Sequence, residues 1–122
     1  MSRKKSKQAQ AHEFSAPERR KIIDRDYGEC IFCRNGYKMS GGTEFAKQIK
    51  SIMHYIPRGQ GGLGIAENGA VGCQYHHDMM DNGNQGNREE MLEIFKAHLQ
   101  QYDPDWSEDK LVYSKWGFLK AN

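Results

Sequence analysis

Cys30-Ile31-Phe32-Cys33, and then Cys73-Gln74-Tyr75-His76 with His77 directly behind it, are the stretches that decide the fold of this 122-residue chain. Each pair leaves two residues between its ligands, a spacing that lets a tight turn aim both side chains at one ion. Zinc takes four soft or borderline ligands in a tetrahedron, and Cys30, Cys33, Cys73 and His76 supply a Cys3His set. His77 is an alternative fourth ligand, although the two-residue spacing favours His76. Three cysteines cannot close into a complete set of internal disulfides. A thioredoxin-like redox pair at Cys30 and Cys33 would leave Cys73-x-x-His76 without a purpose.

Working outward, the segment between the half-sites contains Met53-His54-Tyr55-Ile56-Pro57-Arg58 and a glycine-dense loop from Gly59 to Gly64. Residues 34–44 are rich in turn formers and read as a loop. Phe45 to Lys50 suits either helix or strand, and Ile49, Ile52 and Tyr55-Ile56 suit a strand arriving at Pro57. Ala70-Val71 predicts a short second strand. A helix starting at Cys73 to Gln74 would then carry His77 and Asp81 on one face.

Upstream, Ser15-Ala16-Pro17-Glu18 is a capping-box signal, predicting a helix of about three turns that ends near Tyr27-Gly28. Downstream, Met91, Phe95, Leu99 and Tyr102 form an apolar stripe at helical spacing over residues 88–102. His98 borders that stripe and reads as a packed histidine. Ser107 is placed to cap a last short helix, with Trp106, Trp116 and Phe118 pinning this tail to the core. Together these elements predict an α+β domain with flanking helices.

The chain is long enough for one domain with a modest core, which a structural metal would reinforce. Its formal net charge is +2, yet residues 1–25 hold eight Lys or Arg against three acids. A flexible basic arm over residues 1–13 is expected, followed by a single domain over 14–122. Lys4, Lys5, Arg19 and Arg20 then suit a polyanion such as nucleic acid. No apolar run approaches a membrane span, and no signal-peptide stretch follows the basic N-terminus. A soluble cytoplasmic protein is expected.

From Cys30 to Asp81 the chain resembles the zinc-clamped HNH endonucleases, in particular the stand-alone proteins of phage and prophage. The likeness rests on Cys30-x-x-Cys33, His54-Tyr-Ile-Pro57-Arg58 with Gly61-Gly62, Glu67-Asn68, and Cys73-x-x-His76-His77. It implies a ββα-metal (His-Me finger) core that hydrolyses phosphodiester bonds in DNA, with structural Zn2+ in the clamp. The same resemblance implies that His54 is the general base, that Asn68 orients the base or helps bind metal, and that His77 is a ligand of a second, catalytic cation. Asp81 stands where some members have a further histidine. Carboxylate plus imidazole suits Mg2+, Mn2+, Ni2+ or Zn2+. Arg58 would hold a phosphate.

One departure stands out: Met53 occupies the position where many members carry an Asp or His metal ligand, and a thioether is a poor partner for a hard cation. Either Asp81 and Asn68 complete the shell, or Asp78 reaches it, or catalysis is impaired. The resemblance also implies a bacterial or phage-infected host cell and a phage genome-packaging assembly as a partner. The alternatives to a nuclease are a zinc-stabilised nucleic-acid-binding module and a packaging accessory protein.

Overall fold

The first helix of the domain, α1 (Ala16–Asp26), starts as its sequence dictates: the Ser15 hydroxyl accepts from the Glu18 backbone N–H at 3.3 Å. The chain leaves the helix at Tyr27 in the left-handed region (φ 58°). The capping box is only half formed. The Glu18 carboxylate turns away from Ser15, accepts from the Ala66 N–H at 2.9 Å and pairs with Lys21 at 2.8 Å. A tertiary backbone donor has outcompeted the local one. The computed structural model describes residues 11–82 and 86–113, so Lys4, Lys5, Trp116 and Phe118 lie outside the described residues.

A four-residue helix, α2 (Ile31–Arg34), joins the first two cysteines, and α3 (Glu44–Gln48) is capped by Thr43, whose hydroxyl accepts from Ala46 N–H. The ambiguous stretch after residue 44 therefore divides into helix and then strand. Strand β1 (Lys50–His54) pairs antiparallel with β2 (Gly69–Cys73), placing Lys50 opposite Cys73 and His54 opposite Gly69. Helix α4 (Gln74–Asp81) begins directly at the end of β2, with Cys73 as its N-cap. The result is an α+β fold in which a two-stranded antiparallel sheet runs straight into a helix.

Every residue of β2 is buried, because α1, α2 and the long helix α5 (Asn87–Tyr102) all pack around it. Met91, Phe95 and Leu99 of α5 enter a core with Phe32, Met53, Met80, Trp106 and Leu111. Tyr102, expected at the end of that stripe, is instead half exposed, with Arg25 over its ring. His98 is packed as expected: its Nε2 donates to Asp26 at 2.7 Å.

One expectation downstream of α5 is corrected. Ser107 makes no capping bond, and the segment after it is a 3-10 turn (Glu108–Leu111) rather than an α-helix. Here the chain extends to lie along the glycine loop, with Leu63 N–H donating to Leu111 and Tyr113 N–H to Gly61. Among the described residues, Ala11 and His12 pack against the domain. Gly64 N–H donates to the Ala11 carbonyl at 2.9 Å, and His12 is 7 % exposed. Among the described residues no helix is long and apolar enough to cross a membrane.

Candidate metal centre and adjoining cleft

Antiparallel pairing carries Cys73 to the end of β2, and α2 presents Cys30 and Cys33 to it. The four candidate ligand atoms of Cys30, Cys33, Cys73 and His76 lie within 4.8 Å of one another. A tetrahedral zinc with bonds of ~2.3 Å to sulfur and ~2.05 Å to nitrogen sets ligand edges of roughly 3.8 Å between sulfurs and 3.6 Å between sulfur and nitrogen. Here the Cys33 and Cys73 sulfurs are 3.8 Å apart. His76 Nδ1 is 3.7, 3.5 and 3.3 Å from the sulfurs of Cys30, Cys33 and Cys73. His76 Nε2 donates to the Tyr37 carbonyl at 2.6 Å, which leaves the Nδ1 lone pair aimed at the thiols.

Burial pushes the Cys30 and Cys33 thiols up, Cys33 to about 12, with each neighbouring thiol adding to the effect. Three sulfurs this close and this dry hold negative charge only with a cation among them, which is the chemistry of a thiolate metal site. The donor set, its edges and its outer hydrogen bond all fit a metal ion such as zinc. The geometry also separates the neighbouring histidines. His76 is fully buried in this group, whereas His77, turned about 100° round α4, is one-third exposed.

His77 opens on a cleft of about 560 Å³ between β1, α4 and the segment preceding α1. Ile52 and His54 line it from β1, and His77, Met80 and Asp81 from α4. Arg19, Arg58 and Arg88 add three guanidinium groups, and Glu13, Phe14 and Pro57 complete the lining. His77 Nδ1 lies 3.2 Å from Ser51 Oγ, and its Nε2 lies 3.3 Å from Asp81 Oδ2. Glu13 pairs with Arg58 at 3.7 Å. Arg88 is tethered by donating to the Met80 carbonyl at 2.9 Å.

His54 Nε2 lies 2.8 Å from the His12 carbonyl, which can only accept, so Nε2 carries the proton and Nδ1 is the basic nitrogen. Burial lowers the His54 pKa from the ordinary histidine value. The cationic forms of Arg58, His12 and His77 lower it further, and the His12 carbonyl partly offsets them. The imidazole therefore gives up its proton more readily than an ordinary histidine.

Four residues singled out in the sequence lie off the cleft. Met53 is 1 % exposed and faces the core, its sulfur lying over Gly72 where a Cβ would collide with it. Strand alternation places Ile52 and His54 on the cleft side and Met53 on the other. Asn68 is fully buried and does not line the cleft. Its carboxamide accepts from Ile56 N–H at 2.8 Å and donates to the carbonyls of Ile56 and Leu63, so it clips the loop after His54. Asp78 points away and accepts from Gln74. Arg20 lies on the exposed outer side of α1, away from the cleft lining.

Sequence reasoning missed Arg88, Ser51, Phe14 and His12. Arg88 and Phe14 line the cleft, and Ser51 and His12 contact its histidines, through tertiary contacts that no local pattern marks. Among the described residues, the Cys3His group is the only set of three or more His, Cys, Asp or Glu side chains gathered closely enough to hold an ion. Comparison with family models, characterised proteins and solved structures finds no match to this chain.

Proposed function

We propose that the protein is a metal-dependent endonuclease acting on DNA, built on a ββα-metal core and braced by structural zinc. The observation that carries this reading is the cleft itself, which His54, the His77–Asp81 pair and three arginines line together. Two ligand atoms 3.3 Å apart match the roughly 3.0–3.4 Å edge expected for neighbouring ligands about 2.1 Å from one cation. For His77 Nε2 to be a ligand, Nδ1 must keep its proton and donate to Ser51 Oγ, which lies in place. A divalent cation held there would polarise the scissile phosphate and stabilise the departing oxygen.

The chain's own residues do the rest. His54 Nδ1 takes the proton of the attacking water, a role suited to an imidazole whose pKa is held below the ordinary histidine value. Arg58, Arg19 and Arg88 bind phosphates on either side of the scissile bond and make affinity salt-sensitive. Asn68 acts at one remove by fixing the loop that carries Pro57 and Arg58. The resemblance to stand-alone phage nucleases extends this to a genome-packaging context in an infected bacterial cell.

A second reading, a zinc-braced nucleic-acid-binding module, is favoured by Met53. Its burial leaves two protein ligands for the cation instead of three. Supercoiled plasmid incubated with the protein in Mg2+, Mn2+, Ni2+ and Zn2+, alongside His54→Ala, separates the two. Nicking lost in the variant supports the nuclease. Retarded plasmid with no nicking in any metal supports the module.

A further inference from the structure

The basic nitrogen of His54 is selected by a segment outside the sheet and helix that carry the cleft's other chemistry. His54 Nε2 donates to the carbonyl of His12, forty-two residues earlier in the chain, and Phe14 lies against the imidazole with ring centroids 4.3 Å apart at 35°. Opposite His54 on β2 is Gly69, where a Cβ would fall 2.6 Å from Phe14 Cε1. The missing side chain is what lets Phe14 lie against the histidine.

This strap is itself anchored twice to the glycine loop. His12 Nδ1–H donates to the Gly62 carbonyl at 2.7 Å, and the Ala11 carbonyl accepts from Gly64 N–H at 2.9 Å. At Gly64 a Cβ would collide with the Glu13 carbonyl, so the close approach of strap and loop requires glycine there. The glycine density of 59–64 thus has a use beyond turning the chain: it seats the segment that holds His54.

We propose that residues 11–14 are an integral part of the site. His12 is a positioning residue whose side chain anchors the strap and whose carbonyl holds His54 as the Nε2-protonated tautomer, leaving Nδ1 to act as base. A carbonyl accepts and never donates, so the selection is enforced by chemistry rather than by fit. Phe14 blocks rotation of the ring. The catalytic consequence rests on the nuclease reading, and the tautomer does not.

The test is nitrogen NMR of 15N-histidine-labelled, zinc-replete protein at neutral pH. In the wild type, His54 shows a protonated Nε2 with a slowly exchanging proton and an unprotonated Nδ1. In His12→Ala and in Gly64→Ala, which disturb the strap by independent routes, that proton exchanges faster by on the order of tenfold or more, and both His54 nitrogens shift toward tautomer-averaged positions. His12→Asn, whose amide N–H can reach Gly62, restores slow exchange.

Retained zinc and a dispersed amide spectrum establish that each variant is folded. A wild-type His54 protonated on Nδ1, or averaged between tautomers, overturns the proposal without any variant. Unchanged exchange in a folded variant also overturns it. In plasmid nicking, His12→Ala is expected to lower kcat by about a hundredfold with KM nearly unchanged. If the wild type nicks nothing while the NMR result holds, the strap stands and the nuclease reading falls. If the variants nick at the wild-type rate with unchanged exchange, the strap falls and the nuclease reading stands.

Discussion

Replacing Asp26 by Asn should destabilise the protein by about 3 kcal/mol, because the carboxylate ties α1, β2 and α5 into the frame behind the cleft. Asp26 is 0 % exposed. One oxygen accepts from Arg25 Nε and His98 Nε2, each at 2.7 Å, and the other from Arg25 Nη2 at 2.9 Å and Val71 N–H at 3.0 Å. Burial pushes its pKa up, but His98, Arg25 and the Val71 amide outweigh burial and bring it from 3.8 to about 2. That lowering corresponds to roughly 2 kcal/mol of stability from the ionised form. An Asn side chain fits the space but turns an NH2 group toward one pair of donors, leaving them unpaired at ~1–3 kcal/mol each.

Because the folded pKa lies below the unfolded one, this stability is fully present above about 3.8 and drains away as pH falls toward 2. Urea unfolding of both proteins, with zinc bound at neutral pH, should show the gap. Repeating it in acid should show the gap smaller by about 1 kcal/mol at pH 3, since only the wild type titrates there. The comparison counts only at pH values where both proteins still hold zinc and remain folded, checked by zinc content and circular dichroism. An Asn variant within about 0.5 kcal/mol of wild type at neutral pH, or a gap constant down to pH 3, would refute the reasoning.

The adjacent histidines should separate cleanly. His76→Ala should weaken zinc by at least on the order of a hundredfold and unfold the domain on chelation, whereas His77→Ala keeps zinc and fold but loses nicking; zinc analysis with circular dichroism checks both. Arg88→Ala should raise KM for plasmid several-fold at constant kcat and reduce the salt slope of binding by about one, measured by titration at several ionic strengths. Met53→Leu should cost under about 1.5 kcal/mol, whereas Met53→Asp, burying a carboxylate in the core, should lower the urea midpoint far more without improving metal affinity.

What could be read in advance was what depends on neighbours in sequence. The Cys-x-x-Cys and Cys-x-x-His spacings, the Ser15 cap, the apolar stripe of α5 as far as Leu99 and the grouping of His77 with Asp81 are short-range patterns, and the structure keeps them. The edges of the clamp could not be read, because they depend on β1–β2 register. Met53 looked like a missing ligand only because the strand's alternation relative to the core was unknown. Asn68 was assigned by resemblance alone, and its burial against Ile56 and Leu63 gives it a supporting place. His12 bonds a loop fifty residues away, so nothing near it in the sequence hints at its use. Arg88 likewise enters the cleft only because α5 packs beside α4.

The most direct test of the central claim is the rate of plasmid nicking as a function of added divalent cation and pH, in the wild type and in His54→Ala. The account predicts nicking that requires the cation and is abolished in the variant. In the wild type the rate should rise with pH to a plateau already reached by neutrality, because burial holds His54 below the ordinary histidine range. Nicking without any divalent cation, or a variant that matches the wild type in rate and pH profile, would contradict it.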